Sequence, residues 1–179
     1  GSTLSTHVLG GSSLSKPVVY NDTVILSDGA GLVHFLNAET LEGEAQLVLS
    51  NSVQGHGIVN DDSIVFSLAG GTLVSLDIGT QDVHWETVLS ATGSKPILLE
   101  DGDIFISTGD TTISRYSGED GSQMWQEVLS TGNAVDHALT PHGILVTTSG
   151  GSVQSIDPES GEMNWLEVLP GNGSFASEN

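Results

Sequence analysis

Four side chains able to bind an anion recur at one phase of a forty-residue spacing. Lys16, His56, Lys95 and His137, set in a common frame of forty, occupy positions 16, 16, 15 and 17. Two ammonium groups and two imidazoles converging on one place would form a local positive funnel for a carboxylate, a phosphate or an acidic peptide tail. The alternative is that they are loop residues paired with nearby carboxylates such as Asp136. The rest of the chain makes such a cluster stand out, because 23 Asp and Glu face only 3 Lys and Arg, for a net charge of −20. That balance excludes nucleic acid as a partner, since a phosphate backbone rewards a basic face.

Other constellations lead away from chemistry. Carboxylates gather at Asp61-Asp62, at Glu100-Asp101 with Asp103, at Glu119-Asp120, and at Asp157 with Glu159 and Glu162. Calcium takes six to eight oxygens from such groups. None of these turns carries the complete alternating Asp/Asn loop with its distant Glu, so they read as a solvated acidic surface and no metal is expected. Trp85, Trp125 and Trp165 share one phase, which favours packing between repeated units over a stacking platform for sugars or a quinone. His34, His84 and His142 fall at different phases, and Ser, His and Asp form no nucleophile elbow. Cysteine is absent, which removes disulfides, thiolate zinc sites and cysteine nucleophiles together. The residues point to no catalytic group and no cofactor.

The element that must position these residues is the repeat itself. Val-Leu pairs recur at 8-9, 48-49, 88-89, 128-129 and 168-169, and apolar blocks recur at Val24-Ile25-Leu26, Ile64-Val65-Phe66, Ile104-Phe105-Ile106 and Ile144-Leu145-Val146. The runs are short, β-branched and bounded by Gly, Asp, Asn or Ser, which predicts strands and no helix. In the third repeat strands are expected near 96–100, 103–108, 112–117 and 123–129, with Gly-bearing turns such as Gly70-Gly71 and Gly150-Gly151 between second and third strands. A four-stranded unit of forty residues cannot bury both faces until neighbours stack on it, so the expected fold is an all-β propeller of four-stranded antiparallel blades.

The turn after the third strand is the most specific motif. The fourth repeat reads Ser155-Ile156-Asp157-Pro158-Glu159-Ser160-Gly161 and then Trp165; the second reads Ser75-Leu76-Asp77-Ile78-Gly79-Thr80-Gln81 and then Trp85. This resembles the A-L-D-x-x-T-G-x-x-x-W signature of the PQQ-like, quinoprotein or BamB-like, β-propeller repeat. The third repeat departs at Ser117, and the first at Leu41 and Ala45, which stand where Gly and Trp are usual. The resemblance implies that the Trp packs over the turn of an adjacent blade and that the first strand of each blade lines a central channel. The first repeat should then make the weakest contact.

Residues 3–169 are accordingly assigned to the propeller: a lone outer strand at 3–9, blades at 10–49, 50–89, 90–129 and 130–169, and a polar, flexible tail at 170–179. Families of this kind usually have seven or eight blades, so an open arc would expose apolar faces. Pairing of two chains into an eight-bladed ring, the remainder of a longer propeller, or a closed four-bladed ring would cover them. No run approaches the roughly 18 apolar residues of a membrane helix and no signal-peptide pattern is present, so a soluble piece without its targeting segment is expected. Gly1-Ser2 carries no structural weight.

The resemblance implies a non-catalytic binding or scaffold module that engages a protein or other ligand, in an extracellular, cell-surface or periplasmic location. Two alternatives remain. One is a fragment of a PQQ-dependent dehydrogenase, against which stand the missing cysteines and the lack of a matching Asp-Glu-Asn set. The other is a self-assembling structural repeat of a surface protein, favoured by the gapless period. An acidic surface with almost no Lys further suits a halophilic or marine setting, where salt screens self-repulsion.

Overall fold

Short apolar runs, buried on both faces in the middle strands, and regular turns produce sixteen strands among the described residues, which are 5–11 and 15–169 of the computed structural model. Blade 1 contains β1 (Val18–Tyr20), β2 (Thr23–Ser27), β3 (Leu32–Asn37) and β4 (Gly43–Val48). Blade 2 contains β5 (Val53–Asn60), β6 (Ser63–Leu68), β7 (Thr72–Asp77) and β8 (Val83–Val88). Blade 3 contains β9 (Ile97–Leu98), β10 (Ile104–Ser107), β11 (Thr112–Tyr116) and β12 (Gln123–Val128). Blade 4 contains β13 (Ala134–Thr140), β14 (Gly143–Thr148), β15 (Ser152–Ile156) and β16 (Met163–Val168). Each blade is an antiparallel meander of four strands in sequence order. The expected first strand of the third repeat shrinks to two residues, extended only by an isolated bridge between Gly93 and Thr108. Pro96, which has no N–H to give to a ladder, stands just before it.

Alternate residues of the two middle strands serve opposite blades. Ile25 and Val33 of blade 1 meet Ile64, Phe66, Val74 and Leu76 of blade 2 in one apolar cluster. Val65, Leu73 and Trp85 turn the other way and meet Ile104, Ile106 and Tyr116 of blade 3. Phe105 and Ile113 meet Ile144, Val146 and Ile156 of blade 4. Full burial of each such side chain contributes roughly 1.5–3 kcal/mol, so a blade is stable only between neighbours. Among the described residues no apolar cluster joins blade 4 to blade 1, and the four blades form an open arc. Leu49, Leu89 and Leu129 of the Val-Leu pairs are buried and Leu169 half-buried, while Val48, Val88, Val128 and Val168 stay exposed on the outer strands.

Residues 5–9 take the place of an outer strand of a preceding blade without forming a ladder. The Ser5 hydroxyl donates to the Thr40 carbonyl, and the His7 ring meets that of His34 edge to face at 5.6 Å. Among the described residues no strand lies beside 5–9 to share a ladder with it, as expected of a segment whose blade is otherwise missing. Residues 3 and 4 and the expected tail at 170–179 lie outside the described part.

Candidate functional site

The first strand of each blade forms the inner edge of the arc, with β1 against β5 and β5 against β9. Lys16 stands two residues before β1 and Lys95 two before β9, both exposed, while His56 lies in β5 and His137 in β13. The register of β5 shifts between Gln54 and Ile58, and Gly55 there has φ 80°. This local break brings the β5 backbone against the stem of Lys95: a Cβ at Gly55 would lie 3.6 Å from that of Lys95. Burial, then the charges of Lys95 and Lys16, push the His56 pKa below its ordinary value. Lys16, His56 and Lys95 are thus brought to one place.

His137 is placed differently. Its Nε2 lies 2.9 Å from the Lys95 carbonyl oxygen, which only accepts, so Nε2 carries the proton and donates. Its Nδ1 lies 3.4 Å from Ser107 Oγ, and its ring meets Phe105 edge to face at 5.2 Å. Burial lowers its pKa, against the opposing pull of the Lys95 carbonyl and Asp136. The imidazole of blade 4 is therefore bound to blade 3, and of the four expected ligand-binding residues it is the one whose ring nitrogens are both engaged by a neighbouring blade.

Arg115, a single cation without a recurring phase, proves to be a structural centre. Its side chain is 3% exposed. Nε donates to Asp103 Oδ2 at 2.8 Å, Nη2 to Asp101, and Nη1 to the Pro158 carbonyl of blade 4 at 2.8 Å, with Glu159 at 3.3 Å. Burial alone would weaken the guanidinium's hold on its proton; the bond to Asp103 and the charges of Asp101, Asp103 and Glu159 outweigh it and raise its pKa. The column of Arg115 holds Phe35, Ser75 and Ser155 in the other repeats, so nothing in the periodicity announced this clamp. With Arg115 enclosed, the chain's other two cations, Lys16 and Lys95, are its exposed positive charge.

The acidic turns are occupied by their own backbones. Asp157 Oδ1 accepts from the N–H of Glu159 and Ser160, and Asp77 Oδ1 from that of Thr80; Ser117 Oγ does the same for Glu119 and Asp120. A cleft of about 560 Å³ between blades 3 and 4 is lined by Glu100, Asp101, Asp157, Glu159 and His142, but Asp101 and Glu159 hold Arg115. Among the described residues, no group of three or more His, Asp or Glu is arranged to hold a metal ion. Two polar sites escaped the sequence. Asp28 and His34, each 2% exposed, lie 3.6 Å apart. Asp110 is held down to about 2 by the hydroxyls of Thr108 and Thr112.

Trp85 and Trp125 perform the packing that their shared phase implied, whereas Trp165 stays exposed. Trp85 Nε1 donates to the Gly118 carbonyl of blade 3 at 3.1 Å, and Trp125 Nε1 to the Pro158 carbonyl of blade 4 at 3.0 Å. The turn they meet has one backbone form in every blade, closed by N–H to carbonyl bonds from Leu41 to Asn37, Gln81 to Asp77, Gly121 to Ser117 and Gly161 to Asp157.

Radial four-stranded meanders locked by such tryptophans define a β-propeller architecture. Residues 44–177 match the family described as outer membrane protein assembly factor BamB, and the chain belongs to that family. Its fold is also similar to the crystal structure of BamB from Moraxella catarrhalis, with a TM-score of 0.78 at 16% identity over 92% of this chain. The match spans 52% of that BamB chain, so this chain has about half its length. No curated protein matches significantly.

Proposed function

We propose that this chain is a non-catalytic binding module, a rigid arc of blades that engages a protein partner and presents its inner-edge cations to an acidic group. The observation that carries the reading is the disposition of the cations. Arg115 is consumed between blades, whereas Lys16 and Lys95 stand exposed beside His56 on the inner edge of a chain with net charge −20. A local positive site in an acidic surround selects a carboxylate- or phosphate-bearing ligand by charge and position. The family description, outer membrane protein assembly factor, supports a protein partner and a place in the cell envelope. The absence of catalysis is part of the proposal. The role of His137 as a brace between blades supports it, since that imidazole is not free to move a proton for a substrate.

A fluorescein-labelled oligoglutamate peptide is the probe. Its anisotropy should rise on titration with the full chain at low ionic strength, fall back as salt is added, and stay flat with the Lys16→Ala/Lys95→Ala variant. No binding by the wild type, or binding unaltered in the variant, contradicts the inner-edge site. In this reading the open faces of the arc are covered by a second copy of the chain or by further blades.

A further inference from the structure

Arg115 is held by four acceptors in the junction between blades 3 and 4: Asp101, Asp103, the Pro158 carbonyl and Glu159. Forty residues earlier the same positions are Asp61, Ser63, Gly118 and Glu119, in the junction between blades 2 and 3. All four line one open cleft of about 350 Å³. Two carboxylates and a main-chain carbonyl are thus repeated, but the donor is not. Ser75 stands where Arg115 stands, each as the cross-strand partner of its blade's tryptophan, and the Ser75 hydroxyl is completely buried with no hydrogen-bond partner.

The acceptors are left open as a result. The Pro158 carbonyl accepts twice, from Trp125 Nε1 at 3.0 Å and from Arg115 Nη1 at 2.8 Å. Among the described residues the Gly118 carbonyl accepts once, from Trp85 Nε1 at 3.1 Å, so the lone pair that Arg115 fills at the next junction is free here. The carboxylates of Asp61 and Glu119 are exposed, and among the described residues neither has a hydrogen-bond or ionic partner. Asp101 and Asp103 also line this cleft, but both are engaged by Arg115. At the first junction the corresponding positions are Asn21, Thr23, Ile78 and Gly79, with Phe35 in place of the arginine, so carboxylates and donor are absent together. Of the three junctions, the one between blades 2 and 3 keeps the carboxylates without the cation.

We infer that the cleft between blades 2 and 3 binds a guanidinium from outside the chain, the side chain of an arginine in a protein partner. A planar fork gives one N–H to the Gly118 carbonyl and others to Asp61 and Glu119, as Arg115 does one junction further on; an ammonium, with its donors at a single point, has no fork to match. The turns that form this cleft lie at the opposite end of the blades from Lys16 and Lys95, and the site does not depend on the inner-edge cations.

The Trp85 indole N–H reports on the cleft because it shares the Gly118 carbonyl. In proton–nitrogen spectra of the full chain, with Trp85 assigned by Trp85→Phe, titration with capped Gly-Arg-Gly should shift that resonance saturably and leave those of Trp125 and the exposed Trp165 in place. Capped Gly-Lys-Gly should bind about tenfold or more weakly. The double variant Asp61→Asn/Glu119→Gln should abolish the shift. Both residues are exposed and asparagine suits the left-handed backbone of Asp61 (φ 48°), so the variant folds, which unchanged resonances elsewhere verify. No saturable shift of Trp85, equal affinity for the lysine peptide, or binding undiminished in the variant overturns the inference. None of these results touches the oligoglutamate titration, which reads Lys16 and Lys95, so the two readings fail separately.

Discussion

Arg115 and Trp125 are cross-strand partners in blade 3, and both donate to one carbonyl of blade 4, that of Pro158, at 2.8 and 3.0 Å. A buried guanidinium and an indole thus close the same junction from adjacent strands. The pair shows how a repeat that looks uniform in sequence is secured differently at each interface.

Removing Arg115 leaves Asp103 Oδ2 without its donor and the Pro158 carbonyl with Trp125 alone, while Asp101 and Glu159 are exposed enough to return to water. Arg115→Ala should therefore destabilise the fold by about 2–4 kcal/mol, below the full cost of orphaning a buried charge pair. Arg115→Lys, which cannot reach all its partners at once, should recover only part. Urea unfolding measures both; a loss within about 0.5 kcal/mol for Ala would show that the clamp contributes little.

The pairing of tryptophan with glycine is testable inside the chain. Gly121→Leu drives a side chain into the Trp85 ring and strains a residue at φ 71°, and should cost about 2–4 kcal/mol. In a Trp85→Ala background the same substitution should cost markedly less, because the ring it strikes is gone. Additive losses in this double-mutant cycle would contradict direct contact.

The response to acid has a fixed sign. His56 and His137 have folded pKa values below their ordinary 6.5, so near and below that pH the unfolded chain binds more protons and stability falls as pH falls. Asp110, at about 2 against an ordinary 3.8, and Asp28, also depressed, add stability that is present above about pH 4 and lost toward pH 2. Burial alone would raise Asp28, but the N–H groups of Leu32 and Ala30 and the neighbouring His34 outweigh it. Thermal midpoints should climb steadily from pH 3 to about pH 7. His137→Asn should flatten the upper part of that rise, and an unchanged slope would remove the imidazole from the account.

Salt should stabilise. With a net charge of −20 and its one buried cation already paired, the folded chain repels itself, and screening relieves this. The unfolding midpoint should rise between low and molar salt; a flat or falling midpoint would count against an acidic surface adapted to brine.

Much of the fold was legible because each forty-residue unit obeys one ruler of apolar blocks and Gly-bearing turns, joined in three of the four by a tryptophan, and sterics force a strand meander from that pattern. The gathering of Lys16, His56 and Lys95 was legible for the same reason, since equal phase places residues on equivalent inner strands. The bracing of His137 between blades was not legible, because phase gives position and not the direction of a ring. It packs on Phe105 of the previous blade, a contact between residues 32 positions apart. Arg115 and the Asp28–His34 pair were invisible because each occurs in one repeat alone. The segment at 5–9 reads like a strand by composition and has no partner ladder among the described residues.

The central claim is that blades 2 and 3 are held by burying Trp85 and Trp125 against the next blade, which leaves Trp165 of blade 4 open. Fluorine NMR of the fluorotryptophan-labelled chain with a soluble relaxation agent tests it most directly. The account predicts strong broadening of the Trp165 resonance, assigned by Trp165→Phe, and the greatest protection for Trp85. Equal broadening of all three, or a Trp165 as protected as Trp85, would contradict it.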